Sequence, residues 1–285
     1  MPNSYFENST PTSVGSSLIS RYCRIKAYLS GDGSATPTFE GAELSFGGDL
    51  PSQCRAYAYD EAGNLVKRSV HDDSSAVVET RTYDTMNQLV NNVIDDGVGT
   101  TTWVLVYDDN GNLVSKTDGT DIWDYFWDED NRLLSVEVNS VVVVSYLYDS
   151  ASRLLQRIEG GTTTNYIWDG WDLVREEKTG TVTETTDYLC PEGEVLAFKR
   201  GGDWYYLHGD VLSSTQLVTD ESGAVVGRYV YGAWGDELVS NESIPGFFEN
   251  RFVGGLGCRR DSATGMVYMR HRWYDSQLQR FISRD

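Results

Sequence analysis

Residues 107–138 read "YDDNGNLVSKTDGTDIWDYFWDEDNRLLSVEV". An aromatic–Asp pair opens the stretch at Tyr107–Asp108 and returns at Trp127–Asp128. Each pair is followed by a polar turn and then a leucine, Leu113 or Leu133. The same pattern recurs at Tyr59–Asp60, Tyr83–Asp84, Tyr148–Asp149 and Trp168–Asp169, so successive pairs are 24, 24, 20, 21 and 20 residues apart. A degenerate copy follows at Tyr188–Leu189. Near-constant spacing over six copies marks an internal repeat, and a repeat decides the fold before any local feature does.

Each copy holds two turns. After the pair come "EAGNL", "TMNQL", "DNGNL", "EDNRL" and "SASRL", and mid-repeat lie "DDGVG", "DGT", "NS", "EGG" and "KTG". The Asp can accept from a backbone N–H two residues on, and Gly or Asn then supplies a left-handed residue. Between the turns lie β-rich stretches such as "VVVVSYLY" and "TTWVLVY". One repeat therefore reads as two antiparallel strands. A second aromatic often stands two residues before the first, as at Tyr125/Trp127 and Tyr146/Tyr148. Period two places both rings on one face, where stacked repeats would align them. A row of Asp in register would repel itself unless each carboxylate is satisfied by backbone donors or by water. The pairs are thus expected to be structural, with no cofactor or metal.

Composition narrows the function. The 285 residues carry 23 basic and 43 acidic side chains, a net charge of −20, which disfavours nucleic acid and anionic membranes. No apolar run is long enough for a spanning helix, so membrane insertion is not expected. "MPNSYFENSTPTSVGSSLIS" has neither a basic n-region nor an apolar core and is not a signal peptide. Cys23, Cys54, Cys190 and Cys258 match no zinc spacing and leave free thiols and disulfides both open. His71 is expected in a solvated turn, His208 as a buried hydrogen-bonding residue, and His271 against a strand neighbour. Ser213 and Ser214 lie near His208 but lack the strand–turn–helix elbow of a hydrolase.

From Trp204 the register changes. Tyr206, His208, Asp210, Leu212, Ser214 and Thr215 are followed by Thr219, Asp220, Gly223, Tyr229, Tyr231 and Gly235. The chain then supplies Arg251, Phe252, Gly254, Asp261, Thr264, Gly265 and Tyr268, and closes with Arg270, Trp273, Tyr274, Asp275, Arg280, Phe281 and Asp285. This ordered set resembles the core end of the RHS/YD-repeat family, and the resemblance covers residues 55–285. It implies an all-β fold, a spiralling antiparallel sheet of stacked hairpins with a C-terminal core segment. Residues 1–54 read as an N-terminal cap or lead-in, 55–203 as the repeats and 204–285 as the core segment.

In full-length relatives such a sheet closes into a shell around a C-terminal cargo, often a toxin, and the core segment seals one end. An aspartyl autoprotease beyond that segment cuts the cargo free in many of them. This sequence has Ser276 where the family has Pro and Gln279 where it has Gly. An aspartyl site needs two carboxylates sharing a proton. Arg284 and Asp285 would form the first half, and no second half follows in this sequence, so no protease activity is expected of it. The expected role is a shell or scaffold module, secreted or at a cell surface. Its partners would be a cargo or neighbouring copies of itself. A self-assembling fibre is the alternative, because an unclosed spiral has pairable edges. Outward aromatics also offer a stacking surface for glycans.

Overall fold

The computed structural model describes the backbone of residues 23–30, 38–46, 54–71, 75–244, 246 and 248–284. It falls into two compact units, residues 1–102 and 103–285. In the first, the strands Cys23–Ser30 and Thr38–Phe46 pair as a hairpin. The rest of the N-terminal lead-in lies outside the described residues. Strands Cys54–Tyr59, Leu65–His71, Ala76–Tyr83 and Leu89–Asp95 pair in sequence order, all antiparallel.

In the second unit the strands from Thr100–Tyr107 to Glu237–Glu242 also pair in sequence order, each after the first antiparallel to the one before. The stretch after Trp204, where the sequence changes character, still contributes four strands to this sheet: Asp203–Gly209, Thr215–Asp220, Val225–Tyr231 and Glu237–Glu242. A separate four-stranded sheet follows, from Arg259–Arg260 through Val267–Met269 and Arg272–Asp275 to Arg280–Phe281.

The corners explain the repeat. Asp60 Oδ1 accepts from the amides of Ala62 and Asn64 at 3.0 and 2.8 Å. Asp84, Asp128 and Asp149 accept from the second and fourth amides after them in the same way. Asp108 accepts from the Asn112 amide at 2.8 Å. Asp210 and Asp220 repeat the arrangement in the C-terminal third. The third residue after each Asp is left-handed: Gly63, Asn87, Gly111, Asn131, Ser152, Ser213 and Gly223. Gly, Asn and short polar residues bear that conformation at least cost. Asp169 is a correction to the expected turn role. It is exposed, pairs with Asp172 inside a tight hairpin, and closes no such corner.

Behind each corner sits the leucine. Leu65, Leu89, Leu113, Leu133, Leu154 and Leu173 are 0–6% exposed, and each stabilises by about 1.5–3 kcal/mol. The residue after each leucine is skipped in the ladder, as the register shifts at Ala58/Tyr59, Val106/Tyr107, Leu147/Tyr148 and Ile167/Trp168 record. A bulge therefore accompanies the corners and adds local twist. The motif aromatics tie consecutive repeats together. Tyr83 donates to the Leu65 carbonyl, Trp127 to Leu113, Tyr148 to Leu133 and Trp168 to Leu154, at 2.7–2.9 Å.

A second lacing runs through the residue before each leucine. Asn64 donates to both Asp60 and Asn87, and Asn112 to both Asp108 and Asn131. Arg132 pairs with Asp128 at 2.7 Å and reaches the Asp149 carbonyl, while Arg153 pairs with Asp149 and reaches the Gly170 carbonyl. Burial works against the Asp128 charge, but the Arg132 amide and guanidinium outweigh it and hold the carboxyl below its usual range. Asp128→Ala is expected to cost about 1–2 kcal/mol in urea unfolding. Asp130→Ala, two positions on and 73% exposed in its side chain, is expected to change stability by no more than about 0.5 kcal/mol.

Candidate functional site

One face of the second unit's sheet is covered by the C-terminal segment, residues 248–284. Ion pairs and hydrogen bonds hold it beside ring contacts such as Tyr146–Trp273 and Phe198–Phe248, and several of the polar contacts fall on residues that carried the family resemblance. Asp275 meets Lys116 at 3.1 Å, and Lys116 lies between the rings of Trp103 and Trp123, 5.5 and 5.3 Å from their centres. Asp261 Oδ2 accepts from Tyr146 at 3.0 Å and from Arg157 at 2.5 Å. Its other oxygen takes the amides of Ala263 and Thr264. Tyr268 Oη accepts from the Leu154 amide, Trp273 donates to Tyr148, and Tyr274 donates to the Trp234 carbonyl.

Arg259 is buried, 4% exposed. It pairs with Glu176, which is 1% exposed, and its Nη1 donates to Tyr188 and Asn250, both at 3.2 Å. Burial opposes its charge, but Glu176 and then Tyr188 more than compensate, so the guanidinium stays protonated. Tyr188 in turn donates to Glu176 at 2.7 Å. Thus the degenerate seventh copy spends its aromatic on this network. Arg251 completes the set, with Glu237 at 2.8 Å and Glu242 at 3.0 Å.

Glu249 lies beside Lys178 at 3.2 Å and Arg200 at 3.3 Å. Burial would raise its pKa, but Lys178, Arg200 and Arg259 together pull it down to about 2. A carboxyl depressed in the fold contributes stability above its ordinary pKa of 4.5 and loses it as pH falls through its folded value. The Glu249 contribution is therefore expected to be complete above about pH 4.5 and to vanish towards pH 2. Thermal unfolding across that window should flatten in Glu249→Gln. An unchanged slope would refute the assignment.

The histidines differ from expectation. His208 is exposed rather than buried, because it sits on the solvent side of its strand, and its Nε2 meets Thr219 Oγ1 at 3.0 Å. His71 ends a strand rather than lying in a turn, though it is exposed. His271 meets a turn residue rather than a strand neighbour, packing edge-on against Trp171 at 4.8 Å. Cys190 and Cys258 are free thiols, and burial pushes each up to about 11. Arg284 packs its side chain against Gly111, where a Cβ would lie 2.5 Å from its Nε. Asp285, its partner in the expected protease half-site, lies outside the described residues.

Gln279 is left-handed at φ 59° and buried, and its amide nitrogen and oxygen find no partner among the described residues. Glycine would relieve the backbone and remove two unsatisfied groups. Gln279→Gly is expected to stabilise by about 1–2 kcal/mol, net of the small void it leaves. A lower melting temperature would show that the side chain contributes packing that outweighs both.

A sequential antiparallel sheet with Asx corners, its buried face covered by an ionically anchored C-terminal segment, defines a YD-repeat module. Residues 48–285 match the Teneurin YD-shell family model, and the chain belongs to that family. Curated relatives include the tRNA3(Ser)-specific nuclease WapA of Bacillus spizizenii, 28% identical over 234 residues, covering 80% of this chain and 9% of the relative. Double-stranded DNA deaminase toxin A of Burkholderia cenocepacia is 26% identical over 279 residues, covering 86% of this chain and 18% of the relative. The chain thus spans less than a fifth of the length of either. Among solved structures, the TcdB2-TccC3-Cdc42 crystal structure aligns with a TM-score of 0.47 and 16% identity, over 92% of this chain and 17% of that one.

Proposed function

We propose that the chain is a wall module of a shell that encloses a polypeptide cargo, that its C-terminal segment locks the wall, and that it performs no chemistry itself. The observation that carries this reading is where the C-terminal motif residues go. Arg251, Asp261, Tyr268, Trp273 and Asp275 all hold the segment to the sheet, and Arg259 joins them from outside the motif. The relatives with nuclease and deaminase names are far longer than the matched part, which leaves room for those activities elsewhere in them. The repeat pairs from Tyr59–Asp60 to Trp168–Asp169 are structural in this reading. A secreted or surface-displayed setting suits such a module.

Protease protection tests it. With a small protease-sensitive reporter fused after residue 285, the reporter should survive trypsin doses that destroy the free reporter. Protection should fall when Arg259→Ala loosens the segment. Equal digestion of fused and free reporter would sink the cargo reading, and ordered filaments of the purified chain in negative stain would favour a fibre subunit.

A further inference from the structure

Between the C-terminal segment and the sheet lies a cleft of about 410 Å³. Its floor is one cross-strand row: Arg157 opposite Thr164, Thr164 opposite Lys178, and Lys178 opposite Glu184. Thr164 is the short residue of that row, so it leaves a notch between two long cations. Tyr166, two residues on and on the same face, forms the adjoining wall.

The hydrogen-bonding ledger of this notch is uneven. Thr164 is 3% exposed and Tyr166 is 6% exposed, both line the cleft, and neither hydroxyl has a partner among the described residues. Arg157 gives Nε to Asp261 at 2.5 Å and Nη2 to Ser262 at 2.9 Å and Glu159 at 2.7 Å. Its Nη1 has no acceptor among the described residues. Lys178 Nζ meets Glu184 at 3.3 Å and Glu249 at 3.2 Å, which leaves a third N–H.

The carboxylates facing the cleft are Glu159, Glu184, Glu249 and Asp261, and they balance Arg157, Lys178, Arg259 and Arg260. Asp261 already accepts five hydrogen bonds, from Tyr146, Arg157, both loop amides and the Thr264 hydroxyl. Near charge neutrality, what remains unfilled is a set of donors on residues that line the cleft around Thr164. Neither hydroxyl is among the fully enclosed unpartnered atoms, so both are open to the cleft and available to an acceptor there.

We propose that this cleft binds an oxyanion group, a carboxylate or a phosphate, which accepts from Thr164, Tyr166, Arg157 Nη1 and the third Lys178 N–H. The group is either a free small anion or the acidic side chain of a polypeptide lying along the sheet. A carboxylate-bearing occupant of either kind fits the volume, which is within the range of small-molecule sites. The inference stands on this chain alone and does not depend on the cargo reading.

The test is calorimetric titration and thermal unfolding of the whole chain at constant ionic strength. One arm uses inorganic phosphate, a second uses a short Glu-rich peptide, and chloride is the control. A saturable rise in melting temperature is expected in at least one arm, and which arm responds identifies the source. The Thr164→Val/Tyr166→Phe double variant is expected to bind at least about tenfold more weakly, because each lost donor served a charged acceptor. Thr164→Ser, which keeps the hydroxyl, should bind as the parent does. If the double variant proves unfolded, Tyr166→Phe alone takes its place, with the same direction expected. No saturable rise over chloride in either arm would mean that the cleft holds water only, and equal affinity in the hydroxyl-less variants would also overturn the proposal.

Discussion

Arg259→Ala is expected to destabilise the second unit by about 3–5 kcal/mol, the usual cost of removing one partner from a buried ion pair. Glu176, 1% exposed, would lose its guanidinium and keep only the Tyr188 hydroxyl. Asn250 would lose a donor as well. The cost lies in the stranded charge rather than in the worth of the pair. Glu176→Gln in the Arg259→Ala background should therefore recover part of the loss. Chemical denaturation of the two single variants and the double variant checks this, and strictly additive costs would refute the coupling.

Asp261→Ala is the second large effect, also about 3–5 kcal/mol. One carboxylate, 5% exposed, serves two purposes. It closes the turn Asp261–Gly265 through the amides of Ala263 and Thr264, and it neutralises Arg157 across the interface. Asp261→Asn keeps acceptor capacity for the turn but removes the charge, so it should fall between wild type and Asp261→Ala. Asp210→Ala, at a corner aspartate that faces no arginine anchor among the described residues, should cost only about 1–2 kcal/mol. Equal losses at Asp210 and Asp261 would mean that the turn, not the anchor, carries the energy.

The corners were legible in the sequence because their determinants are local. Asp, a left-handed residue three positions on, and a leucine lie within six residues, and repetition amplified the signal. The bulges after each leucine were hidden, since a skipped residue such as Val66 or Leu134 has no distinct chemical type. The interrepeat lacing by Asn64, Asn112, Arg132 and Arg153 was visible only as variable polar residues before leucine. The buried anchors were least legible. Glu176 stands in "VREEKTG", which reads as a solvated strand face, and its partner Arg259 is 83 positions away. Only the resemblance pointed to Arg251, Asp261 and Asp275, and it gave no partner for any of them. His208 lies beside the register shift at His208/Gly209, where facing cannot be read from simple alternation, whereas His71 and His271 differ through where a strand and a turn end.

The anchors touch the sheet at widely separated strands: Lys116 near its start, Tyr146 and Arg157 further on, then Glu176, and Glu237 and Glu242 at its end. The corners themselves tolerate extra copies, since each one engages only the next. The C-terminal segment does not. Inserting one hairpin between Lys116 and Glu237 would move some anchors by two strand widths, about 9–10 Å, out of reach of their partners. The segment thus acts as a ruler. It admits one strand count, so a repeat architecture that could lengthen freely becomes a part of fixed gauge.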